Sequence, residues 1–357
     1  MATEQEIIEF NRSKIYQKLE KEEQPDNYNG KIPWSVQQQI AATNGRHYIN
    51  KVGKLNNYPK YELPVSDVIG NKLMLDIGCG WGRWLVAGNE KGYTPIGLDI
   101  RLEFCRTARY VLKDQNKTGY AVVGDLENIP FIDNVFDFIW SFSVIQHTHK
   151  KRLINCLQCL NNILNNSGYC KLEFPNLNGI RNRRSSEVRR NMQTAGDYNS
   201  WDVRYYTPKE YKEIFETYLS KFSFVNHSFL GIGVLKEDLK YVSGLNKLLS
   251  FISLTGSGLA KLIPPIKYIS DSLYISSRKK ELSKDISSMG SINEFFNNVK
   301  SNKNDNLNIV PLLKCPKYGG TLIVNKNRTR IESKEAGIYY PVIDDIPILI
   351  DSESNPL

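Results

Sequence analysis

Long apolar runs, cysteine and histidine are the scarce features of this 357-residue chain. No stretch of about 18 uninterrupted apolar residues occurs, which argues against a membrane-spanning helix. Six scattered cysteines do not frame a disulfide scaffold in a chain this long, and such thiols suit a reducing compartment. The opening residues MATEQEIIEFNRSKIYQ have no apolar h-region, so no signal peptide is expected and the expected location is cytoplasmic. What is present is ordinary for a globular protein: 41% hydrophobic, 11% aromatic and 24% charged residues, too apolar for a disordered chain. The net charge of +9 is compatible with nucleic acid, anionic lipid or a phosphorylated substrate and selects none of them. Length predicts two domains, with room for an appendage.

Residues 1–70 are polar, with apolar patches at Ile7–Phe10 and Ile32–Ile40, and read as an N-terminal cap of helix and loop. From Lys72 the pattern changes. Short apolar runs at Leu73–Ile77, Pro95–Leu98, Tyr120–Val123, Phe136–Phe142 and Tyr169–Phe174 alternate with helical stretches at Trp81–Lys91, Leu102–Asp114 and Lys151–Leu164. This alternation predicts an α/β fold, a mostly parallel sheet with helices on both faces. Insertions at about 175–206 and 231–269 are expected to cap a site. Thr207-Pro208-Lys209-Glu210 carries an N-cap, a proline at the first helical position and a glutamate three residues on, so a helix through Tyr218 should feed a strand at Phe222–His227. Ser272–Ser277 reads as a closing strand, 281–307 as a Ser/Asn/Lys-rich linker, and 308–357 as a small β-rich domain.

The most informative stretch is LDIGCGWG at Leu75–Gly82. An apolar strand ends in Asp76 and turns through Gly78, Gly80 and Gly82 into a helix, which lets a backbone pass close to a ligand. By itself the pattern also suits a tight strand-to-helix turn. The second strand ends in Asp99, which could accept ribose hydroxyls or cap a helix. The third ends in Gly124-Asp125-Leu126, and the fourth runs through Trp140-Ser141-Phe142. All four ends face the carboxyl edge of the sheet, where open α/β folds bind ligands.

Together these stretches resemble a class I S-adenosylmethionine-dependent methyltransferase of the small-molecule, type-11-like branch, over residues 70–175 and 200–280. LDIGCGWG resembles the first motif, GLDI the ribose-binding acid, VVGDLENIPF the adenine segment and FDFIWSFSVIQH the fourth motif. The resemblance implies a Rossmann-like sheet of seven strands, S-adenosylmethionine as cofactor and methyl transfer as the reaction. It places Asp76, Gly78, Cys79, Gly80 and Gly82 around the methionine moiety and Asp99 with Ile100 at the ribose. Asp125 and Leu126 fall at the adenine, and Ser141 and Phe142 on the side facing the acceptor. A second resemblance, carried by Leu312–Leu322 and Tyr339–Leu349, is to Trm112-type domains. Tyr318 stands where those domains often have the second cysteine of Cys-Pro-x-Cys. One thiolate does not make a four-ligand site, so no zinc is expected. Cys156 and Cys159 lie in a helical stretch and read as core-facing.

The fourth motif reads Ser141-Phe142-Ser143-Val144, without the proline pair typical of family members that methylate base amino groups or glutamine amides. His147 is the candidate general base, with a helix-cap role as its alternative. His149 is placed at the mouth of the cleft, and His47 and His227 are read as structural. Arg181, Arg183, Arg184, Arg189 and Arg190 could fork a phosphate or carboxylate or form a solvated basic loop. Arg204, Tyr205 and Tyr206 would wall the same pocket. Leu245–Ile269 either packs on the protein or lies on a membrane surface. The expected function is O-methylation of a small-molecule, sugar or lipid-linked acceptor, phosphorylated or not. The alternatives are a tRNA or rRNA methyltransferase helped by its C-terminal domain, and a cofactor-binding activator without turnover.

Overall fold

The computed structural model describes residues 23–186, 203–231, 234–280 and 287–357. The five apolar runs after Lys72 form strands β1 (Leu73–Ile77), β2 (Thr94–Asp99), β3 (Tyr120–Gly124), β4 (Phe136–Ser141) and β5 (Leu164–Pro175). β1 and β3 are buried at every position, as expected of strands covered on both faces. The five pair in parallel in the order 3-2-1-4-5. Helices α2 (Arg83–Glu90), α3 (Leu102–Asp114) and α4 (Lys150–Ile163) connect them, and α1 (Trp34–Asn44) precedes them.

Helix α5 (Pro208–Tyr218) starts where its N-cap predicts. The Thr207 hydroxyl accepts from the Glu210 amide at 3.2 Å, and Glu210 accepts from the Thr207 amide at 2.7 Å. Strand β6 (Ser220–Ser228), helix α6 (Gly244–Leu262) and strand β7 (Ser272–Arg278) follow. β7 lies between β5 and β6 and runs antiparallel to both. The order 3-2-1-4-5-7-6 with one reversed strand is the Rossmann-like methyltransferase sheet. One face is covered by Ile32, Val36 and Ile40 of the N-terminal cap, packed with Trp81, Trp84, Trp140 and Tyr274. The other carries α4 and α5 and the aromatic pair Phe295 and Phe296.

One expectation needs correction, and one is extended. Residues 281–307 are not a plain linker: Ser287–Ser301 forms helix α7, and its Phe295 and Phe296 are buried. Their polar neighbours obscured an amphipathic pattern. The seven expected strands are present, and the sheet continues beyond them. Beyond β3 it continues through β11 (Ile346–Leu349), β10 (Ile338–Ile343), β9 (Arg330–Ser333) and β8 (Ile323–Val324), and β12 (Asn355–Pro356) pairs with β10. β11 runs parallel to β3, pairing Ile348 with Val123 and Leu349 with Gly124. The β-rich C-terminal region expected from the sequence is present and is stitched to the main sheet.

Candidate cofactor and acceptor site

The turn after β1 holds Gly78, Gly80 and Gly82 at φ of +73°, +51° and +91°, a region that glycine enters without strain. Space imposes the same choice: a Cβ on Gly78 would stand 2.2 Å from Val144 Cγ2, and one on Gly82 3.0 Å from the Ala108 Cα. The Gly78 amide donates to the Leu98 carbonyl at 2.7 Å, which ties the turn to the end of β2. Asp99 completes the tie. Its Oδ2 accepts from the Gly80 amide and its Oδ1 from the Arg101 amide, each at 3.1 Å. Burial lifts its pKa to about 6 against the pull of those amides. Cys79 is buried beneath the turn, while Ile100 beside Asp99 is 57% exposed.

Asp76 is fully buried, and among the described residues neither of its carboxylate oxygens has a hydrogen-bond partner. Burial pushes its pKa up to about 8, with Arg83 pulling it down and Asp99 pushing it up. A buried carboxylate without a donor is costly until a proton or a cation reaches it. An ammonium group such as that of a bound methionine moiety fits the position. Asp125 Oδ1 accepts from the Glu127 amide at 3.0 Å, which rigidifies the turn after β3 and leaves its second oxygen for a ligand. Leu126 is half-buried against the core. Ser141 is buried and donates to the Ile77 carbonyl at 3.1 Å, so it joins the ends of β1 and β4. Phe142 follows it.

Sequence reasoning missed Arg83, the residue after Gly82. Its guanidinium lies 4.9 Å from the Phe142 ring centroid, 5.3 Å from Trp84 and 5.5 Å from Tyr61. It donates to Asn44 Oδ1 at 3.2 Å, which also accepts from the Trp81 indole at 3.0 Å. Asn44 donates in turn to the Tyr61 hydroxyl at 2.5 Å. Tyr48 and Tyr61 donate to Asp238 Oδ1 at 2.6 and 2.7 Å, and His47 stands 4.0 Å from Asp238. This buried network joins the N-terminal cap to the second insertion. Only the adjacency of Arg83 to the glycine turn was a usable signal for it.

His147 ends a short 3-10 helix (Ile145–His147), half-buried, with Nε2 3.4 Å from Gln146 Nε2. His149 occupies the N-cap position of α4; partial burial and nearby Arg152 hold its pKa below the usual value. The Arg204 amide donates to the Gln146 carbonyl at 2.8 Å, which brings the buried residues Arg204, Tyr205 and Tyr206 alongside both histidines. The other arginines form a separate group. The Arg181 amide donates to buried Asp271 at 2.8 Å, Arg183 and Arg184 are exposed, and Arg189 and Arg190 lie outside the described residues. His227 packs between Phe142 at 5.2 Å and Tyr274 at 4.6 Å. Burial drives its pKa down to about 3, so it stays neutral near pH 7. Cys156 is buried and Cys159 half-buried. Among the described residues no group of three or more His, Cys, Asp or Glu could hold a metal ion.

Sheet order and glycine turn give a class I, Rossmann-like methyltransferase fold, and the orphaned acid Asp76 suits the ammonium group of S-adenosylmethionine, the cofactor of that class. Residues 74–168 match the family described as a methyltransferase domain. A stretch of 80 residues is 34% identical to a malonyl-[acyl-carrier protein] O-methyltransferase from Buchnera aphidicola, covering 22% of this chain and 31% of that relative. The chain therefore spans less than a third of that relative. Another 49 residues, 14% of this chain, are 37% identical to a UPF0434 protein from Pseudomonas aeruginosa and cover 80% of it. Over those residues the chain belongs to the UPF0434 family, in keeping with its Trm112-like character. Similar solved structures include a complex of the Haloferax volcanii Trm112 activator with a methyltransferase, at 17% identity and a TM-score of 0.41 over 62% of this chain and 86% of that one. A phosphoethanolamine N-methyltransferase 2 from Haemonchus contortus is similar at 16% identity and a TM-score of 0.42, over 61% of this chain and 50% of that one.

Proposed function

We propose that this chain transfers a methyl group to an oxygen of a small acceptor bearing a phosphate or carboxylate, such as a sugar phosphate or a lipid-linked sugar. The observation that carries the reading is Arg83. Its guanidinium sits among Phe142, Trp84 and Tyr61 at the end of β4, and among the described residues its hydrogen-bond acceptor is the neutral Asn44. A planar fork with free donors pairs well with an anionic group. Arg204–Tyr206, held beside the histidines through the Gln146 carbonyl, support the same chemistry.

When bound, S-adenosylmethionine supplies an electrophilic methyl group on a sulfonium. Asp76 would hold its ammonium, Asp99 the ribose hydroxyls, and Asp125 with the Leu126 amide the adenine. Phe142 and Val144 would close the methionine side. Arg83 would orient the acceptor, and His147 would take the acceptor hydroxyl's proton at a ring nitrogen while the methyl group leaves the sulfonium sulfur, which departs as a neutral thioether. Much of the rate then comes from positioning.

Calorimetry with S-adenosylhomocysteine, followed by a labelled-cofactor screen of sugar phosphates, lipid-linked sugars and tRNA, tests the reading. His147→Ala should lower turnover about 100-fold or more with cofactor affinity unchanged. Arg83→Met should raise the KM of a charged acceptor and leave S-adenosylhomocysteine affinity within about twofold, since one lost charge-assisted pair otherwise costs tenfold or more. Weakened S-adenosylhomocysteine binding with unchanged 5′-methylthioadenosine binding would assign Arg83 to the cofactor carboxylate instead and remove the support for an anionic acceptor. Methylation of tRNA alone would favour the RNA reading.

A further inference from the structure

Helix α6 (Gly244–Leu262) is built the wrong way round for a helix facing water. Its inner side is small and polar. Ser250, Ser253 and Ala260 are buried, and Gly256 lies against the Phe229 ring, where a Cβ would come within 3.3 Å. The Ser253 hydroxyl accepts from the Phe229 amide at 2.9 Å, and Ser257 donates to the His227 carbonyl at 3.1 Å. Its outer side is the apolar one. Leu245 is 70% exposed, Phe251 63% and Leu262 80%, with Leu248, Ile252 and Leu259 exposed on the same stripe. These positions fall at three-, four- and seven-residue intervals and share one face. Ile263, Tyr268 and Ile269 carry the exposed surface through the turn that follows.

The charge of this segment has one sign. Between Asp238 and Asp271 there is no acidic residue, whereas Lys240, Lys247, Lys261 and Lys267 are spread along it. The Ile180 amide donates to the Ile269 carbonyl at 3.0 Å, which sets exposed Arg183 and Arg184 close to the same end. Among the described residues no helix is long and apolar enough to cross a membrane. An apolar stripe flanked by bases instead matches a helix lying in the plane of an anionic lipid surface. Contiguous exposed apolar surface on this scale needs such a partner.

We propose that α6 and the turn to Ile269 form an in-plane membrane surface that seats the enzyme on an anionic bilayer. The seat adjoins the acceptor side of the site, because the strand residue bonded to Ser257 is His227, whose ring lies 5.2 Å from Phe142. The proposal stands independently of the acceptor's identity and of turnover.

The test is co-sedimentation of the full chain with phosphatidylcholine vesicles, alone or with about a third phosphatidylglycerol. The wild-type chain should bind the anionic vesicles and release as salt rises. The triple variant L248S/F251S/L262S should bind them at least about tenfold more weakly, with unfolding temperature and S-adenosylhomocysteine affinity unchanged because all three side chains are exposed. Lys247→Glu should weaken binding to the anionic vesicles and not to neutral ones. Absence of vesicle binding, or binding that the triple variant retains, would overturn the proposal. So would a dimer in sedimentation velocity that the triple variant dissolves, because a second copy would then cover the stripe.

Discussion

At the scale of single residues, Asp76 is the most telling. Its carboxyl is buried, unpartnered and held at a pKa of about 8, so at pH 7 the ligand-free protein keeps it mostly protonated. An acid whose folded pKa lies above its unfolded value near 4 binds more protons folded than unfolded, so its contribution to stability falls as pH rises from about 4 to about 8. An ammonium group arriving beside Asp76 favours the charged form and expels the proton. Cofactor binding at pH 7 should therefore release roughly one proton, to which Asp99, with its own pKa of about 6, adds at most about a tenth of a proton when ribose hydroxyls favour its charged form. Calorimetry in buffers of different ionisation enthalpy reads this directly, and Asp76→Asn should abolish the buffer dependence while weakening binding. A buffer-independent enthalpy in the wild-type protein would show that Asp76 is not the ammonium partner. Asp76, Asp99 and the glycines were legible in the sequence because each lies in one local strand–turn–helix unit. Asn44, Tyr61 and Asp238 were not, because three segments up to 190 positions apart supply one network.

At the scale of elements, start signals read well and polar composition misled. Thr207 and Glu210 form the reciprocal cap that their spacing predicts, and α2, α3 and α4 lie close to where the hydrophobic period puts them. Thr207→Ala removes the acceptor for the Glu210 amide and should cost about 1 kcal/mol in urea unfolding. Tyr206 directly precedes that cap, so on the proposed reading, in which Arg204–Tyr206 face the acceptor, the variant's KM for acceptor should rise more than its cofactor Kd. Helix α7 was hidden because Ser, Asn and Lys dominate its outward positions, while buried Phe295 and Phe296, flanked by half-buried Ile292 and Val299, mark its inward face. Helix α6 was recognisable as apolar, but the sequence alone did not say which face the protein would keep. Hydroxyl-to-backbone bonds from Ser253 and Ser257 decide it by holding the small side inward.

At the scale of the whole molecule, the C-terminal region is part of the main sheet. Beyond the β11–β3 pairing, Asn306 completes the part of the buried β3 ladder that β11 does not reach: its Oδ1 accepts from the Ala121 amide at 2.9 Å and its Nδ2 donates to the Ala121 carbonyl at 2.8 Å. The same Nδ2 donates to the Asp345 carbonyl at 2.9 Å. Phe131, Tyr120, Phe295 and Leu312 share one buried cluster, and Arg106 pairs with Asp344 at 2.6 Å. A region bonded and packed in this way should unfold together with the sheet, so calorimetry of the full chain should show one cooperative transition. Two separated transitions would show an independent module. Asn306→Ala strands a buried amide and a buried carbonyl on Ala121, each worth about 1–3 kcal/mol when unsatisfied, so the single transition should lose about 3 kcal/mol. Asn306→Asp tests the orientation of that amide. It restores an acceptor for the Ala121 amide but sets a carboxylate oxygen against the Ala121 carbonyl, and should be at least as destabilising as alanine. If either variant left stability unchanged while only C-terminal proteolysis increased, the Asn306 bridge would be a local contact, and the sheet would close without it.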